Sequence, residues 1–212
     1  MQAKRAIFTI VAAAISLAVL TSYWRSAADS GKAPAEGDLA APAPMDAPFV
    51  TMIDPAKGPK DAKITIVEFG DHACPYCKSS QDAVDRLLAA RPDAVRFVWK
   101  SAPSPLHPGS DIAAEAALCA GRQGRFWEYH AKLFDGASAF DQASMAILAS
   151  GLDLDSKRFN ECLVQGLTRP LVERTVTEAR ALGMTSIPTL FIDGVRYEGA
   201  LSYEQLLEAT GL

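Results

Sequence analysis

Two of the four cysteines are separated by only two residues, in the sequence Cys74-Pro75-Tyr76-Cys77. The pair lies between a predicted strand and a predicted helix, so Cys74 is expected at the N-cap, where free N–H groups and the helix dipole favour a thiolate. Pro75 suits the first helical position, which needs no amide donor. One helical turn brings the two sulfurs together, with Cys74 facing solvent. The pattern predicts thiol–disulfide exchange in which Cys74 attacks and Cys77 resolves.

A second candidate element is the dipeptide Ile187-Pro188, which directly precedes a predicted strand. Proline cannot donate a hydrogen bond to a sheet, so this position needs a particular reason. We expect a cis Ile187–Pro188 bond, which would present the backbone of Ile187 as an open edge to an extended peptide. The predicted substrate-binding residues are Ile187 and, beside the cysteines, Pro75 and Tyr76.

The cysteine pair belongs to a predicted strand–helix–strand unit. Residues 64–69 form a β-branched apolar run typical of a buried strand. Residues 81–90 place apolar side chains on one helical face, and residues 95–99 form a second apolar run. Two strands joined by a helix over so short a distance are expected to be parallel.

The remainder of the chain predicts a helical insert and then a return to the sheet. Apolar residues at helical spacing, interrupted by glycines, indicate short helices between about 107 and 168. The later predicted elements are a helix over 170–182, strands over 189–192 and 195–197 joined by an Asp193-Gly194 turn, and a last helix opened by a Ser202 and Gln205 capping box. The order predicts an α/β domain with an inserted helical subdomain.

The start of the chain has the pattern of an export signal. A lysine and an arginine precede the uncharged run 6–24, and residues 1–28 contain no acidic residue. The run is also long enough to span a bilayer, so a cleaved signal peptide and a retained membrane anchor both stay open. Residues 29–48 are rich in alanine and proline and predict a linker. Residues 49–212 are the predicted folded domain.

Taken together, these elements resemble the DsbA-like form of the thioredoxin fold. The residues that carry the resemblance are the strand before the pair, the Cys74-to-Cys77 helix start, the helical insert, and Ile187-Pro188 before a hairpin and a final helix. The resemblance covers about residues 49–212. It implies an exported, periplasmic thiol–disulfide oxidoreductase that acts on cysteine-containing substrate proteins and needs no cofactor.

The resemblance also implies roles for further residues. Pro188 matches the family's cis-proline, and Glu68 matches its buried acid, which helps move the proton of Cys77. Lys100 is expected to match the basic residue that pairs with this acid. A carboxylate inside an apolar strand is costly without such a role or a partner, so Glu68 is predicted to be catalytic.

The direction of electron flow stays open at the level of sequence. Tyr76 stands where the best-known oxidases of the family carry histidine, so we expect a moderately oxidising pair. Isomerases and reductases of this type usually add a dimerisation domain, and residues 29–62 are too short and too poor in apolar residues to form one. We therefore expect a monomeric oxidase, with a quinone-linked membrane protein as a candidate redox partner. An isomerase or reductase, and a non-catalytic binding module, are the alternatives.

The remaining cysteines, Cys119 and Cys162, lie on apolar faces of predicted helices. They are either buried free thiols or, in an oxidising compartment, a structural disulfide, which we expect. A zinc site would normally use a second close pair, and these two cysteines are far apart in sequence, so no metal is predicted.

The charges exclude one further function. The chain has 21 basic and 25 acidic residues, and the basic residues are scattered, so nucleic-acid binding is not expected. None of the three histidines is predicted to have a catalytic role. His72 is predicted to be a solvated loop residue, His107 a turn residue at the insert, and His130 a packed helix residue.

Overall fold

The computed structural model describes residues 45–136 and 139–212, together with Thr21. The chain divides into two units, residues 1–41 and 42–212, and all described residues except Thr21 belong to the second. The predicted signal or anchor segment, residues 1–28, and most of the predicted linker, 29–48, lie outside the described residues. Within the described residues, no helix is long and apolar enough to cross a membrane.

A five-stranded mixed sheet, with the order β1-β3-β2-β4-β5, forms the centre of the described domain. Its strands are β1 (Ala56–Lys57), β2 (Ile64–Gly70), β3 (Val95–Ser101), β4 (Thr189–Ile192) and β5 (Val195–Glu198). The neighbours β2 and β3 are parallel, as the strand–helix–strand pattern predicts, and the other three pairs are antiparallel. The short strand β1 has no counterpart in the sequence predictions.

Seven helices surround this sheet within the described residues. They are α1 (Pro75–Ala90), α2 (Ser110–Gly121), α3 (Phe126–Phe134), α4 (Gln142–Ser150), α5 (Ser156–Val164), α6 (Arg169–Ala181) and α7 (Tyr203–Thr210). Helix α1 begins six residues before the predicted 81–90 segment, directly after Cys74. Helices α2 to α5 fall inside the segment predicted as the insert, and the Ser202 and Gln205 capping box opens α7 as expected.

The two faces of the sheet bury different cores because side chains alternate along a strand. On one face, Ile66 and Phe97 pack in a large cluster that includes both Cys74 and Cys77. On the other face, Val67 forms a smaller cluster under α6. The insert helices pack on the large cluster, so they cover the same side of the sheet as the cysteine pair.

The prediction that Lys100 pairs with Glu68 is wrong. Glu68 is the register partner of Trp99, so the next residue, Lys100, faces the opposite side of the sheet. There its buried Nζ contacts Asp54 Oδ2 at 3.1 Å and Glu178 Oε2 at 3.0 Å, and it donates to the Phe49 carbonyl oxygen. Lys100 therefore links the segment before β1 to α6 through an ion pair on each side.

Cys119 on α2 and Cys162 on α5 form a disulfide. Both cysteines are buried, and their Cα atoms are 5.9 Å apart. The bond closes a loop of 43 residues that contains α3 and α4. It therefore ties the last helix of the insert to the first.

Replacing both cysteines by alanine is expected to destabilise the domain. A loop of this length restricts the unfolded chain by about 4 kcal/mol on the chain-entropy account, so the free energy of unfolding in urea should fall by roughly that amount. Non-reducing digestion followed by mass spectrometry should recover the linked peptide from the unmodified chain. Two separate thiol peptides, or a double variant as stable as its parent, would contradict the expectation.

Candidate active site

The cysteine pair lies where β2 gives way to α1. Cys74 is the N-cap residue, with extended backbone, and Pro75 is the first residue of the helix. Both thiols are free. The prediction that Cys74 faces solvent is wrong, because the exposed fraction of this residue is only 5%. Cys77 is completely buried, and Tyr76 between them is 70% exposed. Cys74 is thus the less buried of two cysteines that lie one helical turn apart.

The thiol of Cys77 is held in an apolar environment. Its Sγ accepts a hydrogen bond from the backbone N–H of Asp71 at 3.4 Å. Burial raises the pKa of the Cys77 thiol far above its usual value, and the neighbouring Glu68 carboxylate raises it further, while the Asp71 N–H acts in the opposite direction. Cys77 therefore needs a proton whenever it leaves a disulfide.

Glu68 lies on the same face of β2 as the cysteine-side core and is completely buried. Its Oε2 accepts a hydrogen bond from Ser80 Oγ on α1 at 3.1 Å, and its Oε1 has no partner within the described residues. Burial raises the pKa of Glu68 to about 8, the Ser80 hydrogen bond opposes this, and the Asp85 charge adds to it. At neutral pH the carboxyl is mostly protonated and able to donate a proton.

Asp71, which the sequence analysis did not single out, organises the turn between β2 and α1. Its buried carboxylate accepts hydrogen bonds from Ala73 N at 2.8 Å and Ser104 N at 2.9 Å, and it lies 2.7 Å from His107 Nδ1. Its backbone oxygen accepts from Cys74 N at 3.1 Å. The sequence offered one signal for this residue, an aspartate just ahead of the Cys74 N-cap.

The Ile187–Pro188 bond is cis, and Pro188 directly precedes β4. Phe69 pairs with Thr189 between β2 and β4, so Pro188 lies across from Gly70, four residues before Cys74. Ile187 packs against the core cluster that contains both cysteines. The sheet register thus brings the Ile187-Pro188 dipeptide close to the strand that leads into the cysteine pair, although the two are far apart in the sequence.

His72 is buried, which contradicts its prediction as a solvated loop residue. Its ring stacks against Trp99 and Phe134, and its Nε2 lies 3.1 Å from Nδ1 of His130. His130 Nε2 in turn donates to Gln81 Oε1 at 2.9 Å, so Nδ1 of a neutral His130 accepts the proton of His72 Nε2. Burial lowers the pKa of His72 to about 4, although Asp71 opposes this.

A family model described as Thioredoxin matches residues 51–210. The chain belongs to the thioredoxin family. A thioredoxin-like oxidoreductase from Silicibacter pomeroyi DSS-3 is 27% identical to it, with a TM-score of 0.69 over 76% of this chain and 92% of that one. DsbA2 of Pseudomonas aeruginosa is 26% identical, with a TM-score of 0.61 over 73% of this chain and 90% of that one. The predicted DsbA-like thioredoxin fold is confirmed.

Curated relatives of this thioredoxin-family chain include much longer proteins. Na(+)/H(+) antiporter NhaA 1 of Salinispora arenicola is 37% identical over 157 residues, which cover 74% of this chain. The chain spans about a quarter (24%) of the length of that antiporter. The antiporter name describes the longer protein, of which this chain matches one segment.

Replacing Glu68 by glutamine is expected to slow the release of a mixed disulfide by Cys77, typically by about a hundredfold for the loss of a general acid or base. In the parent, the rate of Cys77 attack should rise with pH toward about 8, because deprotonated Glu68 accepts the thiol proton. Rapid quenching of exchange reactions between pH 6 and 9 measures this dependence, which the variant should lack. As a control, Ser80→Ala keeps the Glu68 carboxyl but removes the hydrogen bond that lowers its pKa. The midpoint of the pH dependence of the rate should therefore move to higher pH. Identical profiles for Glu68→Gln and the parent would exclude the role.

Replacing His72 by phenylalanine is expected to weaken the pH dependence of the free energy of unfolding between pH 4 and 6.5. The pKa of about 4 in the folded domain lies below the unfolded value of about 6.5, so the unfolded chain binds more protons between these values. The free energy of unfolding should therefore fall by up to about 3 kcal/mol as the pH drops from 6.5 to 4. Urea unfolding at several pH values compares the slopes of parent and variant. Equal slopes would show that His72 makes no such contribution.

Proposed function

We propose that the chain is an exported, periplasmic thiol–disulfide oxidoreductase that oxidises cysteine pairs in substrate proteins. The observation that carries the proposal is the pair of free thiols on the first turn of α1, with Cys77 completely buried and Cys74 slightly exposed. Burial of one sulfur directs a substrate to the other. The cis Ile187–Pro188 bond beside this turn supports the same conclusion.

In the oxidising direction, a substrate thiolate attacks Sγ of Cys74 in the Cys74–Cys77 disulfide. The bond between the two protein sulfurs breaks, a mixed disulfide forms, and Cys77 leaves as a thiolate that takes a proton from Glu68. A second substrate thiolate then attacks the substrate sulfur of the mixed disulfide, and Cys74 leaves as a thiolate at the start of α1, where the helix dipole stabilises negative charge. Two electrons pass from the substrate to the pair.

The reduced pair must then be reoxidised. A quinone-linked membrane protein is the proposed oxidant, and it would reach the domain as a periplasmic partner. The basic and apolar start of the sequence supports export, either with removal of residues 1–28 or with retention of 6–24 as an anchor. The scarcity of apolar residues in 29–62 supports a monomer.

An isomerase or reductase of the same fold is the second candidate. The side chain of Tyr76 favours it, because this residue is exposed beside Cys74 and brings no imidazole to stabilise a thiolate. A non-catalytic binding module is less well supported, since the chain retains Cys74, Cys77 and Pro188 together.

Substitutions at the two cysteines test the proposed activity. In Cys77→Ser, the Cys74 thiolate should attack a disulfide-containing peptide, release one peptide sulfur as a thiolate and accumulate as a mixed disulfide, because the resolving thiol is gone. Cys74→Ser should abolish oxidation of a dithiol peptide. Mass spectrometry of acid-quenched reactions identifies the trapped species. Full activity of Cys74→Ser, or trapping through another cysteine, would overturn the assignment.

The reduction potential of the unmodified cysteine pair decides the direction of exchange. Equilibration of the pair against glutathione gives its reduction potential, and about 30 mV corresponds to a 1.4 kcal/mol difference for this two-electron couple. An oxidase requires a potential well above the roughly −270 mV of thioredoxin. A value as low as that would favour the reductase candidate.

A further inference from the structure

A surface cleft of about 330 Å³ begins at the cis-proline loop. One wall is the chain that follows β3, over residues 102–105, and the opposite wall is the end of α6 with the loop over 184–187. A second cleft of about 400 Å³ continues along α6 and shares Pro103, Val176 and Arg180 with the first. The two clefts therefore form one groove that leads away from the cysteine pair.

The rim of this groove carries unpaired peptide groups. Within the described residues, the N–H and C=O of both Thr185 and Ile187 have no hydrogen-bond partner. On the opposite wall, Pro103 and Pro105 have no N–H, and the N–H of Ser104 is already bonded to Asp71. One edge that is open to pairing and one apolar wall match a single extended polypeptide, which pairs its backbone along the rim.

The charges of the groove differ along its length. Where the two clefts meet, the exposed guanidinium of Arg180 makes no ion pair within the described part of the chain. At the far end, the guanidinium of Arg169 bonds Glu115 at 2.9 Å and also interacts with Asp111 and Glu173. Three carboxylates and one guanidinium give that end a net charge of −2. An occupant with the complementary order carries its acidic residue nearer to the cysteine pair.

We propose that this groove is a client-binding subsite that selects extended segments with an acidic side chain close to the reacting cysteine, and that Arg180 determines this preference. The proposal rests on the proposed function, since it names the substrate class of the same site. The client's backbone pairs with Thr185 and Ile187, and its carboxylate reaches the guanidinium of Arg180. A basic residue further along the segment meets the acidic end.

A peptide series tests the preference. Each peptide carries one mixed-disulfide cysteine and a single variable residue, glutamate, glutamine or lysine, placed two to five positions from the cysteine on either side. The measured quantity is the ratio of kcat/KM for the glutamate and lysine peptides. For an exposed ion pair, we expect the parent to favour glutamate by about three- to fivefold at the matching position. The charge reversal Arg180→Glu should invert that ratio.

Arg158→Glu on α5 is the matched control, because Arg158 is also exposed, makes no side-chain ion pair within the described residues and lies away from the groove. This variant should keep the parent's ratio. Absence of a preference at every position, or equal changes in both variants, would overturn the subsite. A dimer in sedimentation that Arg180→Glu dissociates would assign the groove to a second copy of the chain and would also overturn it.

The glutamine peptides separate this proposal from the proposed function. If the parent does not exchange them, the oxidoreductase assignment fails, and the subsite is then tested by fluorescence anisotropy with peptides in which serine replaces cysteine. Tighter binding of the glutamate peptide than of the lysine peptide would support the subsite even then. Equal binding would overturn it.

Discussion

The buried carboxylate of Asp71 is the constraint on which the geometry of the cysteine pair depends. A turn between a strand and a helix leaves several peptide N–H groups without sheet or helix partners, and a buried turn must satisfy them internally. Asp71 accepts from Ala73 and Ser104, and its backbone bonds Cys74 N and Cys77 Sγ. One residue thus fixes both sulfurs and the chain that forms one wall of the groove.

The alternation of side chains along β2 and β3 places two buried groups, the Lys100 ion cluster and the Glu68 carboxyl, on opposite faces of the sheet. Lys100 and its two carboxylate partners lie on the α6 side, where a fully formed ion cluster offsets the cost of burial. Glu68 lies on the α1 side, where no basic side chain among the described residues pairs with it, so burial keeps its carboxyl largely neutral. If Lys100 shared that face, it would hold the carboxyl ionised and remove its capacity to donate a proton.

The sequence was sufficient for features that depend on local chemistry. The parallel strands around α1, the Asp193-Gly194 hairpin turn and the Ser202 cap follow from apolar period, turn residues and capping residues. The environment of His72 was not predictable in this way, because it is made by His130, 58 residues later, on an insert helix. The partner of Lys100 was also missed, since it depends on the register between two strands, and a shift of one residue changes the face on which a side chain lies.

The buried ionisable groups around the cysteine pair are neutral, which is compatible with an apolar site. The Glu68 carboxylate raises the cost of ionising the Cys77 thiol, so the two groups together avoid carrying two negative charges. His72 and His130 are neutral as well, because burial lowers the pKa of both rings, and they add no positive charge that would hold a Cys77 thiolate. In the reduced pair at neutral pH, the Cys77 thiol and the Glu68 carboxyl are therefore both neutral. The negative charge that exchange requires is left at the sulfur of Cys74, the N-cap residue of α1.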